Sequence, residues 1–338
     1  MTRDKVLSML INSAEHISGA SISEELGISR AAVNAAVQSL RTDGYQIDSC
    51  TNKGYKLISR PDRLTVGDIE AILGPERMKT VHVETTVDST NKRLKELGYD
   101  GCPSGTVIIA NEQTSGRGRL GRSFSSPSDS GIYLSILFRP DTSPSDTSTV
   151  TARAAVAVCD AISRAVGVTP GIKWVNDLVL GGHKICGILT ELSIESETSR
   201  IDNIVIGIGV NVNNRIEDFP EEIRSTASSL AMECPDKRDK LNRSDIAAHM
   251  VLELDRLIKS WPDDSEYYLK RYRELSATVG QEVTVFPVAG RKDTTVQGRR
   301  GTAVAINDDF SLKVVYDDGT DEDLSSGEVS VRGLYGYA

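Results

Sequence analysis

The sequence predicts a multidomain α+β protein. Three observations support this class. The first sixty residues show a helix-turn-helix pattern, the middle of the chain alternates apolar runs with helical patterns, and the last sixty residues contain only short β-runs. We therefore divide the 338 residues into an N-terminal winged helix-turn-helix over 1–62, a mixed sheet with packed helices over 63–275, and a small β-barrel over 276–338.

The N-terminal segment predicts short helices followed by a two-stranded wing over residues 45–57. Residues 21–24 match a capping box of serine and glutamate, so we expect a helix to begin at Ser21. In the following helix, Val33 and Val37 lie at helical spacing, and Gly44 can end the helix in the left-handed conformation.

Charge distribution points to DNA binding by this segment. Residues 1–60 contain seven Lys/Arg and six Asp/Glu, a net charge of +1. The whole chain has a net charge of −9, so the residues after 60 carry −10. Arg, Asn and Gln are the residue types that contact base edges. The DNA-binding residues that we predict are Ser29, Arg30, Asn34, Gln38 and Arg41. The alternatives are an ordinary solvated helix face and a module for protein contacts.

Composition excludes several classes of protein. No apolar run reaches the roughly 18 residues that span a membrane, and no apolar signal core follows Met1, so we expect a cytoplasmic protein without membrane contact. The net charge of −9 argues against nucleic-acid binding over the whole surface. The five cysteines and four histidines show no metal-binding spacing, so we expect free thiols and no zinc site.

The middle region contains four apolar runs that predict buried strands, namely 106–110, 132–138, 185–192 and 204–212. A helical pattern over 150–166 ends before Gly167. The last sixty residues contain four further β-runs, namely 283–286, 298–306, 312–316 and 328–331. The turn residues 317–319 between two of them predict a hairpin.

A glycine–arginine segment follows the strand that ends at Ala110. Within residues 113–122, glycines alternate with Arg117, Arg119 and Arg122. Glycine lets the backbone approach a ligand closely, and arginine offers a fork of donors to phosphate and carboxylate. The segment predicts a mobile loop that holds an anionic ligand. An RNA-binding arginine–glycine tail is disfavoured, because the motif is single, short and placed between strands.

Three other segments have chemical interest. Residues 88–91 are short and polar and precede a helix, which also fits a simple N-cap. Residues 173–177, Lys-Trp-Val-Asn-Asp, lead into a hairpin that contains Lys184. Residues 207–213 begin like a dinucleotide fingerprint, but Val212 occupies the third glycine position and rules that interpretation out.

In this order, these segments resemble the biotin–protein ligase family over nearly the whole chain. The resemblance is to the bifunctional class, the ligases that are also biotin operon repressors, and it implies a class II synthetase-like central sheet and an SH3-like C-terminal barrel. The Gly-Arg-Gly-Arg-x-Gly-Arg loop is specific when Lys-Trp-x-Asn-Asp and Gly-x-Gly-x-Asn follow it. Two positions depart from the family pattern: Val175 stands where proline is usual and Phe124 where tryptophan is frequent.

The resemblance implies ATP and Mg²⁺ as cofactors and two half-reactions. Biotin and ATP form biotinyl-5′-AMP, and the biotin then passes to a lysine of a biotin carboxyl-carrier protein domain. The implied catalytic residues are Arg117, Arg119, Lys184 and Asp177. The implied biotin pocket comprises Ser89, Thr90, Asn91, Gln113, Arg117, Gly118, Arg119 and Lys184. The implied ATP-binding residues are Arg119, Arg122, Lys173, Asn176 and Asn211.

Within this scheme Asp177 is the candidate base for the carrier lysine, and a strand-end cap is the alternative role. Two other functions remain open for the chain. One is a lipoate or octanoate transferase of related architecture, and the other is a regulator that senses a small acid and binds DNA without catalysis. A third possibility combines ligase activity with DNA regulation. The chain would then be a ligase that also represses biotin genes when its adenylate promotes formation of a homodimer.

Overall fold

A computed structural model describes residues 2–140, 149–194, 201–287, 298–325 and 329–333. Three helices and an antiparallel strand pair form the N-terminal unit: α1 Thr2–Ile11, α2 Gly19–Leu26, α3 Arg30–Thr42, β1 Gln46–Cys50 and β2 Gly54–Ser59. Its core contains Leu7, Ile22, Val37 and Tyr45, all of them buried. The helix-turn-helix with a two-stranded wing is confirmed.

The helix starts of this unit correct one expectation. Helix α2 begins at Gly19, not at Ser21, because Ser18 supplies the cap one turn earlier and accepts a 3.0 Å hydrogen bond from the Ser21 backbone nitrogen. The capping box at residues 21–24 is therefore wrong. Gly44 has the positive φ, 96°, that was expected after helix α3.

The central unit is a seven-stranded mixed sheet with helices packed on it. Its order is β3-β4-β5-β9-β8-β7-β6, in which β3 and β4 are parallel and the other neighbours antiparallel. The strands are β3 Val81–Val87, β4 Val107–Gln113, β5 Gly131–Phe138, β6 Gly171–Lys173, β7 Asp177–Leu180, β8 His183–Ile194 and β9 Ile201–Asn211. All four apolar runs of this region lie in strands, as predicted.

The helices of the central unit are α4 Val66–Met78, α5 Thr90–Tyr99, α6 Val150–Val166, α7 Leu230–Glu233, α8 Arg243–Ser260 and α9 Ser265–Leu275. Helix α6 ends at Val166, before Gly167, as predicted, and its apolar side chains are buried together with those of α8 and the sheet. In the part of the chain that the structure describes, no helix is both long and apolar enough to cross a membrane.

The C-terminal strands form a five-stranded antiparallel sheet in the order β13-β12-β11-β10-β14. They are β10 Glu282–Pro287, β11 Arg299–Ile306, β12 Leu312–Tyr316, β13 Asp321–Leu324 and β14 Val329–Gly333. The predicted turn lies between β12 and β13, where Gly319 has a φ of 82°. The indole nitrogen of Trp174 donates to the carbonyl of Phe310 at 2.9 Å, which joins this sheet to the central unit.

The winged helix is fixed to the central unit by buried polar contacts. The Tyr45 hydroxyl donates to Oδ2 of Asp68, a fully buried residue of α4, at 2.5 Å. Arg60 lies in the linker, which we define as residues 60–63 between the two units. It contacts Asp68 at 3.2 Å and makes a two-pronged contact with Asp245 at 2.6 and 2.9 Å. A Cβ on Gly67 would overlap the carbonyl of Asp4, so glycine permits the close approach of α1 and α4.

A second linker contact reaches the strands of the sheet. Asp62 accepts hydrogen bonds from the backbone and the guanidinium of Arg243, which is fully buried. The same guanidinium donates to Oδ1 of Asn111 on β4 at 2.8 Å. Asn213, two residues beyond β9, also donates to Asp62 at 2.5 Å. The linker therefore contacts the ends of two strands that lead into the candidate site.

Candidate active site

The glycine–arginine loop folds back on itself. The Phe124 nitrogen donates to the Gly116 carbonyl at 2.9 Å, and the Gly118 nitrogen donates to the Arg122 carbonyl at 2.7 Å. A Cβ on Gly116 would overlap the Phe124 carbonyl, so this position requires glycine. Arg117 and Arg122 are exposed, and Arg119 is partly buried. Of the three arginines, Arg119 is therefore the one that is partly shielded from solvent.

The ring of Phe124 lies over the sheet. It packs against Gly187 on β8 and Gly209 on β9, and a Cβ on Gly209 would overlap the ring. The second glycine of the Gly-x-Gly-x-Asn segment therefore makes room for the loop, which gives it a packing role. This packing role explains why a segment inside a strand contains two of the glycines of the dinucleotide fingerprint.

A charged corner brings four of the predicted residues together. Arg119 donates to Oδ1 of Asn176 at 2.8 Å. Asn176 in turn donates to Oδ1 of Asp177 at 3.2 Å, and Lys184 lies 2.6 Å from the same oxygen. Burial lowers the pKa of Arg119, and the Asp177 charge opposes this shift. The β7–β8 hairpin positions this corner, because Asp177 begins β7 and Lys184 lies near the start of β8.

A polar floor lies at the start of α5. Ser89, Thr90 and Asn91 are almost completely buried, and Ser89 makes no side-chain cap bond. The Thr90 nitrogen donates to Oε1 of Gln113 at 2.9 Å, and Gln113 donates to the Ser126 hydroxyl at 2.9 Å. The predicted residues of β4 and α5 thus meet below the loop.

The amide of Asn91 is bonded within the protein on both sides. Its oxygen lies 2.6 Å from the Ser135 hydroxyl, and its nitrogen donates to Glu191 at 2.8 Å. A Cβ on Gly207 would overlap this amide. Glu191 also pairs with Lys95 at 2.6 Å.

Several opposing causes act on the pKa of Glu191. Burial alone would raise it, but hydrogen bonds from Lys95 and Asn91 and the nearby charges of Lys95 and Arg117 lower it below its ordinary value. The carboxylate therefore stays ionised beside the polar floor.

The sequence prediction missed Ser135 and Glu191. Each was visible as a polar residue within an apolar strand run, at 132–138 and 185–192 respectively. A polar residue in a buried strand needs a partner, and this is the signal that could have identified them.

Two predicted residues remain, Lys173 and Asn211. Asn211 is buried and donates to the Ser228 carbonyl at 2.9 Å. Lys173 ends β6 and stands opposite Asp177 in the β6–β7 pair. The backbone of Lys184 is paired with residues 226–228. These contacts place the Lys173, Asn211 and Lys184 segments on adjoining strands and their connections.

The predicted DNA-binding residues divide into two groups. Arg30, Asn34 and Gln38 are exposed on α3. Ser29 caps the helix by accepting from the Ala32 nitrogen at 3.1 Å. Arg41 donates to the Ile47 carbonyl at 2.6 Å, and so its guanidinium ties α3 to the wing.

The chain matches known proteins in two of its units. Residues 83–211 match the Biotin/lipoate A/B protein ligase family, and residues 2–56 match an HTH domain. The bifunctional ligase/repressor BirA of Bacillus spizizenii is 37% identical over 249 residues, which are 73% of this chain and 75% of that protein. The Escherichia coli protein of the same name is 29% identical over 330 residues, 97% of this chain and 96% of its own.

A solved structure agrees with the sequence matches. The biotin protein ligase from Aquifex aeolicus in complex with biotin and ATP superposes with a TM-score of 0.62 at 26% identity, covering 75% of this chain and 99% of that one. Fold and matches together define a ligase-type domain that follows a helix-turn-helix domain. The chain belongs to the biotin/lipoate A/B protein ligase family, among the biotin–protein ligases that carry an N-terminal helix-turn-helix domain.

Proposed function

We propose that the charged corner of Arg119, Asn176, Asp177 and Lys184 is the catalytic centre of an ATP-dependent biotin–protein ligase. The observation that carries the proposal is the continuous contact from Arg119 through Asn176 to the Asp177–Lys184 pair, directly below the glycine–arginine loop. Adenylation followed by acyl transfer requires cationic side chains and a carboxylate. The corner contains two cations, Arg119 and Lys184, and one carboxylate, Asp177.

In the first half-reaction a biotin carboxylate oxygen bonds to the α-phosphorus of ATP, and the bond to the β-phosphate oxygen breaks, releasing pyrophosphate. The carboxylate is already ionised at neutral pH, so alignment and charge neutralisation are what the protein must supply. Lys184 would hold the carboxylate. Arg117, Arg119 and Arg122 would supply charge to the phosphates.

Mg²⁺ fits this site only as a companion of the triphosphate. In the part of the chain that the structure describes, no group of three His, Cys, Asp or Glu side chains could hold a metal. Mg²⁺ commonly binds through substrate phosphates with one or two carboxylates, and there it neutralises phosphate charge. The protein's own contribution in this scheme is the arginine and lysine side chains.

Biotin would lie on the polar floor, with Ser89, Thr90 and Gln113 and the backbone of residues 117–119 around it. Asn91, whose amide is bonded to Ser135 and Glu191, would hold the floor in place. The nucleotide would lie toward Lys173, Asn176, Arg122 and Asn211. Closure of the loop would keep water from the mixed anhydride, which hydrolyses readily.

In the second half-reaction the amine of a carrier lysine attacks the biotin carbonyl, and the bond to AMP breaks. A lysine amine has an ordinary pKa near ~10.4 and must lose a proton before it attacks. Asp177 is the carboxylate of the charged corner and would accept that proton. The carrier is a biotin carboxyl-carrier protein domain.

The test is incubation of the full chain with ATP, Mg²⁺ and biotin, followed by mass analysis of the bound product and of an added carrier domain. We expect biotinyl-5′-AMP on the protein and one added biotin on the carrier lysine. Parallel reactions with lipoate and octanoate distinguish the related transferases. Modification of the carrier by either of these acids, with none by biotin, would overturn the proposal.

We also propose that the chain is a homodimeric repressor that binds operator DNA. Arg30, Asn34 and Gln38 are exposed on α3 and are residue types suited to base edges. Fluorescence anisotropy with DNA at low salt, with and without the adenylate, tests the binding, and sedimentation tests the dimer. We expect tighter binding with adenylate and weaker binding by Asn34→Ala. Lack of binding under all these conditions would leave a ligase alone.

Domain boundaries near residues 62 and 275 complete the proposal. Helix α9 ends at Leu275 and β10 begins at Glu282, which supports a boundary in the connection. Limited proteolysis with mass analysis would locate both boundaries.

A further inference from the structure

Strand β6 is an edge strand of the seven-stranded sheet, and the residues that follow α9 cover its outer side. The Ala277 nitrogen donates to the Ile172 carbonyl at 2.8 Å, and the Trp174 nitrogen donates to the Thr278 hydroxyl at 2.8 Å. Ile172 and Trp174 are two residues apart, which is the spacing at which a neighbouring strand bonds to an edge. Residues 276–278, which we call the edge segment, therefore take the place of a neighbouring strand.

The second of these bonds uses a side chain where a sheet would use a backbone carbonyl. Thr278 is 5% exposed and Trp174 is 8% exposed. Removal of the Thr278 hydroxyl would therefore leave the backbone N–H of a nearly buried residue without its partner, which is costly.

The indole of Trp174 is held by the C-terminal sheet. Its Nε1 donates at 2.9 Å to the carbonyl of Phe310, a buried residue in the turn between β11 and β12. That turn is closed by a hydrogen bond of 2.9 Å from the Asn307 nitrogen to the Ser311 carbonyl. Trp174 is thus fixed at two points, its backbone by the edge segment and its side chain by the C-terminal sheet.

The next residues of the chain lead directly into the charged corner. Val175 is contacted at its carbonyl by the hydroxyl of Tyr272 at 3.4 Å, and the Tyr272 ring packs edge-on against Phe310 with centroids 5.5 Å apart. Asn176 follows, and on the β8 side it exchanges two hydrogen bonds of 3.0 Å with the backbone of Ile188. Asn176 is therefore supported by β8 on one side and, through Trp174, by the end of the chain on the other. Loss of one support should loosen it without releasing it.

We infer that Thr278 and Trp174 are positioning residues, through which the edge segment and the C-terminal sheet hold Asn176 in hydrogen-bonding contact with Arg119. They act through the turn that joins β6 to β7. The inference deepens the proposed function and rests on it. Its consequence is that loss of either contact to Trp174 weakens retention of the adenylate.

The test measures how fast the full chain releases biotinyl-5′-AMP, by forming the labelled adenylate and chasing it with unlabelled biotin and ATP. Thr278→Val replaces the hydroxyl by a methyl group of similar size. We expect release to become about 3-fold or more faster, because a buried hydrogen bond is lost. Thr278→Ser keeps the hydroxyl and should keep the wild-type rate.

Thr106→Val is the matched control for Thr278→Val. Thr106 is likewise buried, and its hydroxyl donates to the Pro103 carbonyl at 2.7 Å, at the start of β4. This variant should release the adenylate at the wild-type rate. Thermal unfolding of every variant shows that it is folded at the assay temperature.

A second pair of variants tests the indole contact. Trp174→Phe removes the donor to Phe310 and should also speed release about 3-fold or more. Trp261→Phe is its control, because the Trp261 indole nitrogen has no hydrogen-bond partner among the residues that the structure describes. It should keep the wild-type rate.

A double variant separates positioning of Asn176 from a general loosening of the protein. If Thr278 acts through Asn176, Thr278→Val should add nothing to the release rate of Asn176→Ala. A general loosening would instead speed release by the same factor whether or not the Asn176 amide is present.

The outcomes separate the inference from the proposed function. A wild type that forms no biotinyl-5′-AMP overturns the proposed function. A wild type that forms it, with a folded Thr278→Val protein that releases it at the wild-type rate, overturns the inference alone. The inference also fails if Thr278→Ser releases as fast as Thr278→Val, or if Thr278→Val acts equally with and without the Asn176 amide.

Discussion

The ammonium nitrogen of Lys184 lies 2.6 Å from Oδ1 of Asp177. In the proposed mechanism Lys184 would leave Asp177 for the biotin carboxylate or the phosphate in the first half-reaction. Asp177 would then face the amine of the carrier lysine in the second half-reaction.

Asp177→Asn should slow biotin transfer more than adenylate formation. A general base contributes about 10²-fold or more to a rate, so we expect a loss of about that size in transfer and only a few-fold loss in adenylation. Single-turnover reactions, with the adenylate formed first and the carrier added second, measure the two steps separately. The exposed Asp100→Asn serves as the control. Equal losses in both steps would assign Asp177 to the orientation of Lys184.

The Arg119–Asn176 bond should retain the adenylate. Arg119→Ala removes a charge-assisted hydrogen bond of 2.8 Å, and we expect about 10-fold faster release of biotinyl-5′-AMP. Asn176→Ala should speed release as well, and the double variant should show a coupling energy of about 0.5–3 kcal/mol. Release is measured by chasing labelled adenylate with unlabelled biotin and ATP. Strictly additive effects would show that the two side chains act independently.

Arg243→Met should destabilise the central unit strongly. The substitution leaves Asp62 and Asn111 without their buried partner, and breaking a buried pair costs about 3–5 kcal/mol. Urea unfolding measures the loss. Arg93→Met is the matched control, because Arg93 and its partner Glu96 are both exposed, and it should change little. Comparable losses in both variants would contradict the structural role of Arg243.

Glu191 should contribute stability at neutral pH that disappears in acid. Its pKa is lowered in the folded chain, so the contribution is present above the ordinary value of 4.5 and is lost as the pH falls through the folded pKa. Unfolding of wild type and Glu191→Gln at pH 7 and pH 4 should therefore differ more at pH 7. The exposed Glu84→Gln is the control. A difference that grows toward acid pH has the wrong sign for this account.

Arg41 and Arg30 should behave differently although both were predicted to bind DNA. Arg41→Ala removes two bonds to the Ile47 carbonyl and one to Ser49, and we expect a loss of about 1 kcal/mol in the stability of the winged helix. Arg30→Ala should leave the stability unchanged. It should weaken DNA binding and make the remaining affinity less dependent on salt concentration. Circular dichroism melting and anisotropy titrations separate the two effects.

The sequence predicts those features that local pattern determines. Continuous apolar runs located the strands β4, β5, β8 and β9, because a buried strand must be apolar on both faces. The helix start at Ser18 was missed for a local reason, since several serines compete for the cap and only the backbone geometry selects one.

Features that depend on tertiary contact could not be predicted in the same way. Gly209 makes room for Phe124, which lies 85 positions earlier in the sequence. Asn91 is held by Glu191, which lies 100 positions later. Arg41 has the same spacing as the exposed face of α3, yet the wing strand occupies its guanidinium. Periodicity assigns a side chain to a face, but its partner is determined by the packing of other elements.

The linker has a consequence for dissecting the chain. An isolated ligase fragment beginning after Asp62 would lose the partners of Arg243 and Asp245, and Asp68 would lose both Tyr45 and Arg60. A fragment that begins at Arg60 keeps the ionic partners of Asp68, Arg243 and Asp245 and, of these hydrogen bonds, gives up the one from Tyr45. The shortest ligase fragment that keeps the ionic partners of its buried charges therefore includes residues 60–62, the last three residues of the predicted N-terminal unit.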